Sequence, residues 1–255
     1  MVMTDRRRHR GAHPKDAQLF SQAALSALRS AVGELSWLLS HEYPVRAALA
    51  LVGDRHGLTV RQRQAVRRCA CSDAQLVERR ERRASPVTMP GAQVWVDGFN
   101  VLTTIEAAFG GGVLLMARDG ALRDMASMHG SYRPVEETGP AIEAVAELLE
   151  DRKVKRCRWF LDAPVSNSGR LASILREFAA ERRLSWEVEV TRDPDQALVA
   201  APADVLVASA DSQIMDGAPM TWQLARETVG GIQPTPWIVD LASVDSATPG
   251  LFTTG

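Results

Sequence analysis

The sequence predicts an α/β protein, with a mostly parallel sheet covered by helices on both faces, preceded by a small all-helical domain. Two observations carry this. The apolar spacing changes near residue 86, from helical stripes to short β-type runs alternating with helices. Charge divides at the same place: residues 1–86 hold 16 Lys and Arg against 8 Asp and Glu, and the rest holds 14 against 23. A basic half joined to an acidic half suits a division of labour, one part gripping an anionic polymer and the other collecting cations. The expected organisation is a basic disordered tail over 1–12, a helical domain over 13–86, and an α/β domain over 91–255.

Within the first half, Leu25, Leu28, Val32, Leu35 and Leu39 recur at three- and four-residue steps, the stripe of an amphipathic helix. Pro44 ends it, and a second apolar stretch runs from Ala47 to Val52. Thr59 is placed to cap a third helix beginning near Val60. At 100° per residue, Arg61, Arg63, Arg67 and Arg68 share one side of it, opposite Ala65, Val66, Cys69 and Ala70. Such a row suits phosphate oxygens; the plainer reading is a solvated face. Residues 73–84 are rich in charge, continuously so from Glu78 to Arg83, and Ser85-Pro86 and Met89-Pro90-Gly91 then break the chain.

Beyond the break come short apolar runs. Val94-Trp95-Val96 stops at Asp97, Cys157 to Leu161 stops at Asp162, and Pro236 to Val239 stops at Asp240. Val113 to Met116, Trp186 to Val190 and Val205 to Ala208 are the other runs, the last followed by Ser209-Ala210-Asp211. Helical stripes at Ile142, Val145, Ala146 and Leu149, and at Leu171, Ile174, Leu175 and Phe178, lie between them. No apolar run reaches the about 18–20 residues of a membrane span, so a cytoplasmic protein without a membrane partner is expected. Cys69, Cys71 and Cys157 form no C-x-x-C pair, which argues against a disulfide framework or a zinc site.

The carboxyl ends of parallel strands form one rim, where ligands bind. Aspartates that end distant strands can therefore meet there. Bringing two within ~5 Å costs roughly 3 kcal/mol at an effective dielectric of ~20. A hard divalent cation relieves that repulsion, and oxygen ligands suit Mg²⁺ or Mn²⁺. The plainer account is that aspartate after a strand caps the next helix.

Val96-Asp97-Gly98-Phe99-Asn100 resembles the D-G-[YF]-N opening of NYN nucleases, a branch of the PIN-like superfamily. Leu161-Asp162-Ala163-Pro164 resembles their second strand-end aspartate, Asp193-Pro194-Asp195 their acidic pair, and Ser209-Ala210-Asp211-Ser212 their late acidic segment. The whole chain is also similar to an uncharacterised bacterial and archaeal family that pairs a helical N-terminal domain of unknown function with a PIN-like domain. The runs His13-Pro14-Lys15-Asp16, Leu51-Val52-Gly53-Asp54-Arg55, Arg61-Gln62-Arg63, Arg118-Asp119-Gly120 and Pro164 to Arg170 carry that likeness.

The resemblance implies a PIN/NYN-like fold and Mg²⁺- or Mn²⁺-dependent hydrolysis of RNA, or of DNA, with the basic helical domain assisting. Asp97 would be the central metal ligand, with Asn100 orienting it or the substrate phosphate. Asp162 and Asp211 would complete the site, and Asp195, with Asp193, would bind through water or hold a second ion. Many PIN nucleases add an acid in the helix after the first strand, where Glu106 is the only candidate.

Ser166, Asn167, Ser168 and Arg170 follow a strand and open a helix, so they are expected to hold a phosphate, or in the plainer reading to cap the helix. Arg118-Asp119-Gly120 with Arg123-Asp124 reads as a turn with surface ion pairs, or as a source of an extra ligand in Asp119. His129 and Tyr132 are left outside the catalytic set. A haloacid-dehalogenase-type phosphatase would need an aspartate where Phe99 stands, and no dinucleotide fingerprint or P-loop is present. The rival to a nuclease is a non-catalytic RNA- or protein-binding module, and an oligomer is compatible with both.

Overall fold

The computed structural model describes residues 9–85, 87, 89–125 and 132–242. Five helices come first: α1 (Asp16–Leu19), α2 (Gln22–Ser40), α3 (Val45–Arg55), α4 (Val60–Cys69) and α5 (Asp73–Glu81). Leu28, Val32 and Leu35 are buried on α2, following the stripe in the sequence. Thr59 and Gln62 form a reciprocal capping box that starts α4, so two otherwise orphaned N–H groups are satisfied.

The remainder runs β1 (Gln93–Asp97), α6 (Gly98–Phe109), β2 (Leu114–Met116), β3 (Leu122–Asp124), α7 (Thr138–Asp151), β4 (Arg156–Asp162), α8 (Ser168–Arg182), β5 (Trp186–Thr191), α9 (Pro194–Val199), β6 (Val205–Ala208), α10 (Ser212–Gly217), β7 (Thr221–Trp222), α11 (Leu224–Gly230) and β8 (Ile238–Asp240). The main sheet has the order β5-β4-β1-β6-β7, with every pairing parallel. Side chains alternate across it. Val94, Val96, Trp159, Leu161, Leu206 and Ala208 pack with α6, α7, α8 and α11 on one face. Phe160, Val205 and Val207 pack with α9 and α10 on the other.

Two of the expected strands do not belong to that sheet. β2 and β8 pair with each other in parallel, and β3 joins β2 antiparallel, in a separate three-stranded sheet. Asp240 therefore ends a strand away from the main rim, and the expectation that it would sit with Asp97 and Asp162 is corrected. β2 serves two cores. Leu114 faces the main one, while Val113, Leu115 and Ala117 meet Val32, Leu35, Ala65 and Val66 from the helical region. The helices thus close their apolar sides on the second sheet.

Residues 1–8 lie outside the described residues, as does His129. Residues 9–12, expected in a disordered tail, are placed against α6, where Arg10 pairs with the fully buried Glu106. Glu106 also accepts from Tyr132 Oη and Thr138 Oγ1. It is an interior acid and not part of the rim. No helix among the described residues is long and apolar enough to cross a membrane.

Candidate functional site

At the carboxyl ends of β1, β4 and β6 lies an open cleft of about 360 Å³. Asp97, Asp162, Asp195 and Asp211 all line it, and Asp124 joins them from the end of β3. Five aspartates from five segments thus face one space.

Asp97 reaches it because α6 starts at once after β1. Its Oδ1 accepts the Asn100 N–H and so caps α6, while Ser209 Oγ donates to Oδ2 at 2.7 Å. Gly98 makes the tight junction possible: a Cβ there would lie 2.6 Å from Leu161 Cδ2 and 3.0 Å from Phe160 O. Asn100 Oδ1 accepts the Ala210 N–H at 2.8 Å, tying the α6 start to the loop that carries Asp211. Asp211 caps α10 with Oδ1, and Asp193 caps α9 by accepting from Gln196 N at 2.9 Å. The capping role expected for these acids is real, and for Asp97 and Asp211 it coexists with a place on the cleft. Asp193 does not line it.

The acids feel one another. Burial, with Asp195 and Asp211 close by, pushes Asp97 up to about 7. Burial raises Asp195 too, helped by Asp211, Asp193 and Asp162, and burial with Asp193 raises Asp162. Asp162 Oδ1 is buried with no hydrogen-bond partner. These are hard oxygen donors whose repulsion a divalent cation would relieve, so the residues fit Mg²⁺ or Mn²⁺ in chemistry. Among the described residues no group of three or more His, Cys, Asp or Glu is placed to hold a metal ion.

Asp124 was hidden in what looked like a surface turn. It is buried, and its Oδ2 accepts from Thr104 Oγ1 at 3.0 Å and Thr103 Oγ1 at 3.3 Å. The available signal was that Leu122-Arg123-Asp124, like the longer runs, stops at aspartate. Asp119 goes the other way: it is buried and gripped by Arg79 and Arg123, so it is neither a ligand nor part of a surface pair. Against the upward push of burial, Arg123 and Arg79 hold it down at about 2.

The arginine row of α4 is also rearranged. Arg61 forks onto the fully buried Asp16 at 2.5 and 2.8 Å. Arg63 folds over Gly53, donating to Asp54 and to the Leu58 and Ala50 carbonyls. Both guanidinium groups are engaged by groups of the protein itself, Arg61 with a buried partner and Arg63 at the surface. Arg67 is exposed, and Arg68, which lines the cleft, donates from NH1 to Asp124 O and lies 3.8 Å from Asp124 Oδ1.

The Ser166 to Arg170 loop sits beside the cleft, and of its side chains only Ser168 is buried. Ser168 Oγ donates to the Asp162 and Val165 carbonyls. Asn167, at φ 70°, makes no side-chain cap and donates instead to Tyr132 O at 2.8 Å. Ser166 and Arg170 are exposed and do not line the cleft. The Ser168 bonds brace β4 against α8.

The fold and cleft define an α/β protein with an aspartate-lined rim above a parallel sheet, carrying a helical N-terminal region. The chain belongs to the family described as "Domain of unknown function (DUF5616)", whose profile matches residues 86–227. A second profile, "Protein of unknown function (DUF434)", matches residues 27–82. The chain is 28% identical over 189 residues to the uncharacterized protein MJ0935 of Methanocaldococcus jannaschii, covering 74% of this chain and 89% of the relative. No solved structure matches it.

Proposed function

We propose that this protein is a Mg²⁺- or Mn²⁺-dependent phosphodiesterase acting on RNA, a ribonuclease of the PIN/NYN-like kind. The observation that carries the reading is the convergence of Asp97, Asp124, Asp162, Asp195 and Asp211 on one cleft, with Asp162 Oδ1 buried and unpartnered. A bound divalent cation would lower the pKa of a water and offset charge on the phosphate. Asp97, held at both oxygens, Asp162 and Asp211 would hold the ion, with Asp195 at the outer edge. Asn100 keeps the Asp97 and Asp211 segments in register. Arg68 stands on the cleft wall, where it would meet a strand phosphate, and Arg67 extends the same basic side of α4.

Full-length protein with Mn²⁺ is expected to cleave single-stranded or structured RNA, and excess EDTA should abolish the cleavage. Activity persisting in EDTA would overturn the reading. Arg68→Gln should weaken RNA binding and flatten its log–log salt slope by about one. An unchanged slope would remove Arg68 from the interface.

A second reading, a non-catalytic RNA- or protein-binding module, is favoured because no group of three or more His, Cys, Asp or Glu among the described residues is placed to hold a metal ion. RNA binding without Mn²⁺-dependent cleavage would select it.

A further inference from the structure

The Arg118-Asp119-Gly120 turn is absent from the aspartate cleft's lining, yet two arginines converge on it. Arg83, just after α5, donates from NH2 to Asp119 O, and Arg226 on α11 donates from NH1 to Gly120 O at 2.8 Å. Gly120 has φ +79°, and a Cβ there would lie 3.1 Å from Arg83 NH2 and 3.2 Å from Arg226 NH1. The two guanidinium groups therefore crowd one point. Both line a pocket of about 380 Å³ between the β7 edge and α11.

Among the described residues the nearby carboxylates are already paired, though Asp119 still acts on Arg83. Asp119 is taken by Arg79 and Arg123. Glu227, on the pocket wall, is taken by Arg152 and by Trp222 Nε1, which donates at 2.8 Å. The crowded cations meet only carbonyl oxygens, and Arg83 Nε is buried with no hydrogen-bond partner. Such an N–H carries a desolvation cost until an acceptor arrives. Burial, then Arg226 nearby, lowers the pKa of Arg83, with Asp119 offsetting part of it.

A phosphate would turn this repulsion into attraction, because guanidinium forks match its oxygens. Ala84, Met89 and Trp222 add apolar surface to the lining. The pocket is also of a size that holds a small organic molecule. We propose that this pocket binds a phosphorylated small molecule, read by Arg83 and Arg226, at a site separate from the aspartate cleft. The inference does not rest on the hydrolase reading.

The test is calorimetric titration of the full chain, with EDTA present and chloride at physiological strength, using inorganic phosphate and a ribonucleoside 5′-monophosphate. At least one probe should bind with Kd below about 10 mM. Arg226→Gln changes an exposed side chain, so its melting transition should remain cooperative, and binding should weaken by about tenfold or more. Arg226→Lys, which keeps the charge and loses the fork, should fall between. Arg46→Gln, on the exposed surface of α3, should bind as the unaltered protein does. No binding of either probe, or equal binding by Arg226→Gln, would overturn the proposal.

Discussion

Asp97→Asn should abolish RNA cleavage, by at least about a hundredfold, while making the chelated protein more stable at pH 8. The two effects have one cause. The Asp97 carboxyl is pushed up to about 7 in the folded chain from an ordinary 3.8, because burial and its neighbours Asp195 and Asp211 oppose its charge. Between those values the folded state holds the proton more tightly than the unfolded state, so stability falls as pH rises from about 4 to about 7. Asparagine removes the charge yet keeps an oxygen for the α6 cap and an amide for Ser209. The expected gain above pH 7 is about 1–3 kcal/mol, after allowing for partial solvent screening. Urea unfolding across pH 4–8 in EDTA measures it. A destabilised variant would mean that Asp97 serves the cap alone.

Arg79→Met should cost about 3–5 kcal/mol, the largest stability loss expected of a single change here. Arg79 lies in what reads as a charged run, but it is 1% exposed. It donates to Asp216 at 2.6 and 2.9 Å and to Asp119 at 2.6 Å, joining α5 to α10 and to the β2–β3 turn. Methionine fills much of the volume but leaves buried carboxylate charge short of a partner. The acid limb should move as well. Asp119, held at about 2, contributes stability above its unfolded pKa that is lost as pH falls towards 2. Without Arg79 its pKa should rise, and acid unfolding should begin at higher pH. A midpoint shift at unchanged m-value is the check, and a loss below about 1 kcal/mol would contradict the account.

The long elements were legible because periodicity reports burial. The stripe on α2, the Thr59 cap of α4, and the runs that became β1, β4, β5 and β6 all follow it. The acids on the rim were legible because β1 and β4 stop at Asp97 and Asp162 and because Asp211 follows β6 at once. Two kinds of fact were not. Periodicity marks a strand without saying which sheet it joins, so Asp240 was misplaced with β8, and the short β3 hid Asp124. Charge patterns do not reveal partners. Arg61 and Arg63 read as a phosphate-binding row and Arg79 as part of a charged run, yet Asp16, Asp54, Asp119 and Asp216 meet them from segments distant in sequence or across a turn.

Titrating Mn²⁺ into the full chain, with free ion followed by electron paramagnetic resonance, reaches the central claim without needing the right RNA. The cleft is expected to take up Mn²⁺ with a Kd below about 1 mM, and Asp97→Asn or Asp162→Asn to weaken it at least about tenfold. Uptake that ignores both substitutions, or no uptake at all, would contradict a cation held among these aspartates.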